Sequence, residues 1–220
     1  FLKDYGFSAK IINRFFKPFF GGIFLEFDLN TSARQFLFIF KMFSEGDALL
    51  PAKGIAAVAQ QLKSQLKSTE FRLNTPVKGL QTGKVILDEG EEIEAQQIIV
   101  ATDPQRILPQ LEDTLDWNRT MQVYFEAPSN VFSKKLISLS FAKNGLINNI
   151  ACLSAVQPTY APAGKHLYSV SLKKDPGMSE NKLEEAIMLE LKPLIGNATK
   201  DWKLIRSYKV QKALPQVDQV

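Results

Sequence analysis

Few side chains in this 220-residue sequence are equipped for nucleophilic, acid–base or metal chemistry, and their spacing narrows the field further. One cysteine, Cys152, and one histidine, His166, allow no internal disulfide and no His/Cys cluster with zinc-ligand spacing. Cys152 stands beside Leu153 in a strand-like run, where a small buried apolar residue is the simpler role. His166 leads an alternating strand with no nucleophile motif near it, so a Ser-His-Asp arrangement rests on geometry the sequence does not supply. Asp88, Glu89, Glu91, Glu92 and Glu94 form an acidic cluster that reads either as acid–base or metal chemistry or as exposed hairpin charge guarding an edge strand. Lys53 precedes a helix as a phosphate-binding lysine would, yet Gly-x-x-x-x-Gly-Lys-Ser/Thr is absent and a surface lysine suffices. None of the twelve glycines forms Gly-x-Gly-x-x-Gly, and no catalytic side chain can be nominated.

The elements around these residues are legible from periodicity. The turn Leu50-Pro51-Ala52-Lys53-Gly54 opens a helix whose apolar residues Ile55, Val58, Ala59, Leu62 and Leu66 form one stripe, opposed by Gln60, Gln61, Lys63, Ser64 and Gln65. Such a helix is expected to lie on a sheet and face water on its other side. Phe71 and Leu73 are candidate inward residues of the next strand, which Thr75-Pro76 breaks before Val77. Val77 to Leu80, Lys84 to Leu87 and Glu92 to Glu94 read as short strands joined by Thr82-Gly83 and Asp88-Glu89-Gly90. Ile98-Ile99-Val100-Ala101 runs apolar without alternation, as a strand covered on both faces would, and Thr102-Asp103-Pro104 ends it. The order describes the middle of an open α/β sheet, where ligands gather outside the carboxyl ends of the strands.

Twelve of the sixteen phenylalanines fall within residues 1–45. Ser8 is a plausible cap for a helix through Ile11, Ile12, Phe15 and Phe16, ended by Pro18 and Gly21-Gly22. A second helix is predicted from Thr31 or Ser32 through Phe36, Phe40 and Phe43 to Gly46. These rings either pack short helices onto a larger body or line an apolar cavity. Beyond Asp116 the rhythm becomes alternating: Met121, Val123 and Phe125; Ile137, Leu139 and Phe141; Ile147 to Leu153; Tyr168, Val170 and Leu172; and Trp202 to Tyr208. A largely antiparallel sheet with one wetter face follows, interrupted by a helix over Leu183, Ala186, Ile187 and Leu191 that starts at Ser179 and ends at Pro193 to Gly196.

At 45% hydrophobic the chain can bury a core, and its net charge of +4 comes from scattered lysines, which gives no signature of nucleic-acid binding. No run approaches the roughly 18 apolar residues of a membrane span, and Phe1-Leu2-Lys3-Asp4 lacks the pattern of a signal peptide. The first residue is not methionine and the last six carry no terminal cap, so the sequence reads as an excerpt of a longer polypeptide.

The Leu-Pro-x-x-Gly turn opening a helix, the strand ending in Pro76-Val77, and the acidic hairpin leading to Ile98-Ile99-Val100-Ala101-Thr102 together resemble the central segment of the flavin-containing amine oxidoreductases. That superfamily includes monoamine oxidases, protoporphyrinogen oxidases and carotenoid desaturases. The resemblance is best over residues 46–104 and extends more loosely to Phe19-Phe20-Gly21-Gly22 and Ala213-Leu214-Pro215. It implies an α+β and α/β architecture: a partial flavin-binding α/β sheet plus a mostly antiparallel substrate-domain sheet with helices. Residues 1–45 would be the Phe-rich helical part of the substrate domain, 46–112 the flavin-domain segment, 113–210 the substrate-domain sheet and helix, and 211–220 the start of the return to the flavin domain. The resemblance places the main chain of Val77 against the adenine of flavin adenine dinucleotide, with Ala101 and Thr102 near its diphosphate or ribose. It implies an oxidoreductase that takes a hydride from its substrate; the aromatic arm favours a small apolar organic molecule, the scattered charge gives no nucleic-acid partner, and the expected setting is cytoplasmic, with peripheral membrane contact left open. Without the glycine fingerprint, and without the family's C-terminal flavin segment, this piece is expected to be inactive and to retain the cofactor poorly. The competing reading is a non-catalytic lipid- or protein-binding module.

Overall fold

Ser8 caps the first helix of the computed structural model, its hydroxyl accepting from the Ile11 N–H at 3.4 Å. The structure describes residues 1–108, 116–132, 134–140, 142 and 144–216. Helix α1 (Ala9–Ile11) passes through a π turn (Ile12–Phe16) into α2 (Lys17–Phe24), so Pro18 and Gly21-Gly22 do not end the helix as their types predict. The Lys17 N–H reaches back five residues to the Ile12 carbonyl. That widened turn moves aside the carbonyl a proline ring would strike, and Pro18 itself has no N–H to satisfy. The glycines serve contact: a Cβ on Gly21 would lie 2.6 Å from Phe27 Cδ1, and one on Gly22 would overlap the Asn148 amide oxygen. Leu25, left-handed at φ 57°, ends α2, and the Asn118 side-chain amide donates to the free Phe24 carbonyl at 2.8 Å.

Helix α3 (Ala33–Glu45) begins at Ser32, whose hydroxyl accepts from the Gln35 N–H at 3.3 Å, and stops before Gly46, as its spacing predicts. It packs Phe36 and Ile39 against buried Ile12, Phe16, Phe20 and Phe24. Helix α4 (Ala56–Gln65) also forms, but its stripe does not lie on a sheet: Ile55 is 79% and Leu62 60% exposed, and no residue of α4 is buried.

By contact the chain divides into two units, Phe1–Gln60 with Trp117–Val220, and Gln61–Asp116. In the second, β1 (Val77–Gln81), β2 (Lys84–Leu87) and β3 (Glu92–Glu94) make an antiparallel meander in the order β1-β2-β3. Gly83 and Gly90 turn it with φ of +74° and +88°. Lys84 pairs with Glu92 at 2.8 Å across β2 and β3, and Arg72 meets Glu70 and Glu91 at 2.7 Å each. The acidic cluster is thus surface hairpin charge. Residues 71–73 and 98–101 are not strands, and Leu73 and Ile99 are 67% and 84% exposed where burial is predicted. A parallel strand exists only when paired, and neither segment meets a ladder among the described residues.

In the first unit β4 (Trp117–Ala127), β5 (Ser138–Leu139), β6 (Ile147–Cys152), β7 (His166–Leu172) and β8 (Lys203–Pro215) form an antiparallel sheet in the order β5-β6-β7-β4-β8. Met121, Val123, Phe125, Tyr168, Val170 and Leu172 point to one face and bury against Leu183, Ile187 and Leu191 of a long helix. Phe141 lies outside the described residues. Strand β6 stops at Cys152, since Leu153 opens the short helix α5 (Leu153–Val156). The long helix, α6 (Glu180–Ile195), runs through Pro193 to its end. Strand β8 continues past Tyr208 to pair Leu214 with Asn118 and Pro215 with Trp117, so Ala213-Leu214-Pro215 prolong the sheet.

Candidate functional site

Val77 opens β1, and β1 is an edge strand of its sheet, so one row of its main-chain N–H and C=O groups faces away from the β2 ladder. Across that ladder Val77 is opposite Leu87, and the Asp88 N–H donates to the Pro76 carbonyl at 3.1 Å. An unpaired strand edge is the structure a flat heteroaromatic edge can hydrogen-bond. Ala101 and Thr102 are exposed in an irregular segment before the turn Pro104–Arg106, and they fall in the same unit as Val77. Cys152 is buried, its Sγ 3.6 Å from the Ser154 hydroxyl. His166 begins β7 with Nδ1 buried and unpartnered. Among the described residues no group of three or more His, Cys, Asp or Glu is arranged to hold a metal ion.

Two surfaces of the first unit could hold an organic molecule. The helical arm borders an open cavity of about 350 Å3 walled by Ile12, Phe16, Phe20, Phe24 and Phe36, with Lys3, Asp4, Lys17 and Asp28 also in its lining. Its aromatic side suits the apolar part of a ligand. The other surface is the face of the five-stranded sheet opposite α6. There Gln122 donates to the Ser169 hydroxyl at 2.5 Å and accepts from Ser171 at 2.7 Å. Tyr124 meets Tyr208 edge-on at 5.9 Å, and the Arg206 guanidinium stands 5.7 Å from the Tyr208 ring. Cross-strand register pairs Gln122 with Tyr208 and Tyr124 with Arg206, which puts all four on one face. This polar row went unremarked in the sequence, although the even positions of β4 alternating with Met121, Val123 and Phe125 are its signal. The row supplies donors and ring edges and pairs no nucleophile with a base.

The buried end of the sheet is rigidly tied. Tyr168 accepts from the Val131 N–H at 2.8 Å and donates to the Ser129 carbonyl or Asn130 Oδ1, and burial pushes its phenol well above the ordinary tyrosine range. At the other end Asp175 accepts from the Gly177 N–H at 2.9 Å and pairs with Lys209 at 3.0 Å. The Gly177 bond first, then Lys209, hold the Asp175 carboxyl below its usual value. A carboxyl whose pKa is depressed on folding stabilises the fold above its unfolded pKa, and that contribution is lost as pH falls through the folded value. Asp175→Asn is therefore expected to lower the unfolding midpoint at neutral pH, with the gap from the parent closing in acid. A gap that persists unchanged at low pH would contradict the assignment.

An antiparallel sheet backed by one long helix and carrying an aromatic helical arm, with a small hairpin unit inserted in the chain, defines an α+β protein, and solved structures share this fold. An oxidoreductase from Methanosarcina mazei superposes with a TM-score of 0.75 at 16% identity, over 94% of this chain and 54% of that one. Reduced UDP-galactopyranose mutase gives 0.66 at 12% identity over 96% and 55%. A provisionally assigned protoporphyrinogen oxidase from Exiguobacterium sp. 255-15 gives 0.58 at 17% identity over 76% and 41%. The chain thus spans about half the length of these structures. No curated protein matches by sequence. The model of the flavin containing amine oxidoreductases matches residues 1–217, and the chain belongs to that family.

Proposed function

We propose that this chain supplies the substrate-side sheet and one adenosine-side segment of a larger FAD-dependent oxidoreductase that removes a hydride from an apolar organic substrate. The observation that carries the reading is family membership over residues 1–217. The aromatic cavity of about 350 Å3 supports the apolar substrate. Bound flavin would be the hydride acceptor. The residues present fit that cofactor in part: the free edge of β1 at Val77 suits an adenine, with Ala101 and Thr102 assigned to its ribose or diphosphate. The sequence has no Gly-x-Gly-x-x-Gly, so the diphosphate would depend on residues outside this chain. Its own part in the reaction is to bind and orient substrate and to exclude water.

A peripheral membrane contact by a cytoplasmic protein belongs to the same proposal. No helix of the described residues is long and apolar enough to cross a membrane, while Leu37, Phe38 and Met42 of α3 stand exposed. The test is flavin retention. The 220-residue chain, mixed with excess FAD and passed through a desalting column, is expected to emerge without yellow absorbance. The complete gene product is expected to keep stoichiometric flavin. A colourless complete product overturns the flavoenzyme reading in favour of a binding module, and a yellow short chain overturns the proposed division of the cofactor site.

A further inference from the structure

Beyond the flavin reading, the first unit contains a cleft whose chemistry that reading leaves unused. Two cavities of about 150 and 460 Å3 share Leu25, Arg119, Thr120 and Lys173 in their walls, and so lie side by side as two ends of one cleft. The narrow end is lined by Gln122, Asn148 and Ser171. The wide end adds Trp117, Lys174, Asp175, Lys209 and Gln211.

A break in the sheet shapes the wide end. Register steps from Thr120 opposite Val210 to Asn118 opposite Leu214, which leaves Gln211 to Ala213 as a bulge and Arg119 without a ladder partner. Bulges of this kind re-aim side chains. Arg119, Lys173, Lys174 and Lys209 line the cleft, with Asp175 the one acidic residue in its walls. Asp175 is taken by Lys209 at 3.0 Å, and the Lys173 ammonium donates to the Ala142 carbonyl with Glu190 near it. Arg119 and Lys174 have no ion-pair partner among the described residues. Burial disfavours the charge on Lys173, so an added anion would relieve it. Trp117 also lines this wall. Concave shape and unbalanced positive charge coincide.

We propose that this cleft binds the oxyanion of a small ligand, phosphate or carboxylate, through Arg119 and Lys174. A planar guanidinium on β4 and a point-charge ammonium in the bend after β7 suit either group. The two sources are separated by titrating the full chain calorimetrically at low ionic strength with inorganic pyrophosphate and, separately, with citrate. One of them is expected to saturate, and its identity names the ligand class. Arg119→Ala and Lys174→Ala should each weaken that binding about ten-fold, the scale of one charge-assisted hydrogen bond. Arg119→Lys should keep most of it, and Lys200→Ala, outside the cleft, should change nothing. If Arg119→Ala disturbs the bulge, Lys174→Ala at an exposed position decides alone. Saturation by neither probe, or an equal loss in Lys200→Ala and Lys174→Ala, overturns the proposal. Because the site makes no use of flavin, that outcome leaves the family reading untouched.

Discussion

Phe20→Ala is expected to cost about 3–5 kcal/mol and to unfold the helical arm ahead of the sheet. Phe20 is 1% exposed and touches Phe36 at 4.6 Å, Phe19 at 5.2 Å and Phe24 at 5.8 Å between ring centroids. No other ring joins α2 to α3 through so many neighbours, and truncation leaves a hole between two helices that have little else to bury. The sheet has its own core, with Trp202 packed on Tyr168 at 4.1 Å and on Phe125 at 5.9 Å. Hydrogen exchange should therefore show α2 and α3 amides losing protection, while α6 and β7 keep theirs. The arm cavity, which Phe20 walls, should lose its affinity for an apolar fluorescent probe at the same time. A loss below about 1 kcal/mol, or arm and sheet melting as one, would mean the rings are interchangeable packing.

The same arm shows where reading the chain works and where it fails. Ser32 and Gly46 bracket α3 correctly because capping and left-handed or extended termination are local chemistry, decided within a few residues. Val77–Gln81, Lys84–Leu87 and Glu92–Glu94 come out for the same reason, since a meander pairs neighbours through short turns. Pro18 misleads because its effect depends on the π turn before it, and Gly21 and Gly22 mislead because their cause is Phe27 and Asn148, the latter more than a hundred residues away. Residues 98–101 have the composition of a buried strand but no partner among the described residues, so composition alone cannot make the ladder. The polar row of Gln122, Tyr124 and Tyr208 was implicit in the alternation of β4, yet only register shows that β8 completes it. The bulge that frees Arg119 leaves no local mark in sequence at all.

Gly22→Ala should destabilise the first unit by about 2–3 kcal/mol, even after the ~1 kcal/mol that alanine gains over glycine inside a helix. An added Cβ would overlap the Asn148 amide oxygen and sit 3.3 Å from Asn149 Nδ2. Neither can step aside freely. Asn148 is 1% exposed, donates to the Pro18 carbonyl at 2.8 Å and accepts from Asn149 at 2.6 Å. Moving it would leave buried polar atoms without partners, a cost of about 1–3 kcal/mol by itself. The steric account makes a sharper claim than loss of stability, because it names the atom responsible. In an Asn148→Ala background the oxygen is gone, and Gly22→Ala should become nearly neutral or mildly stabilising. The coupling energy from the four unfolding curves should be at least about 1 kcal/mol. Additive effects would instead assign the glycine to helix geometry, and would remove the reason for thinking that α2 is seated on β6 by this one contact.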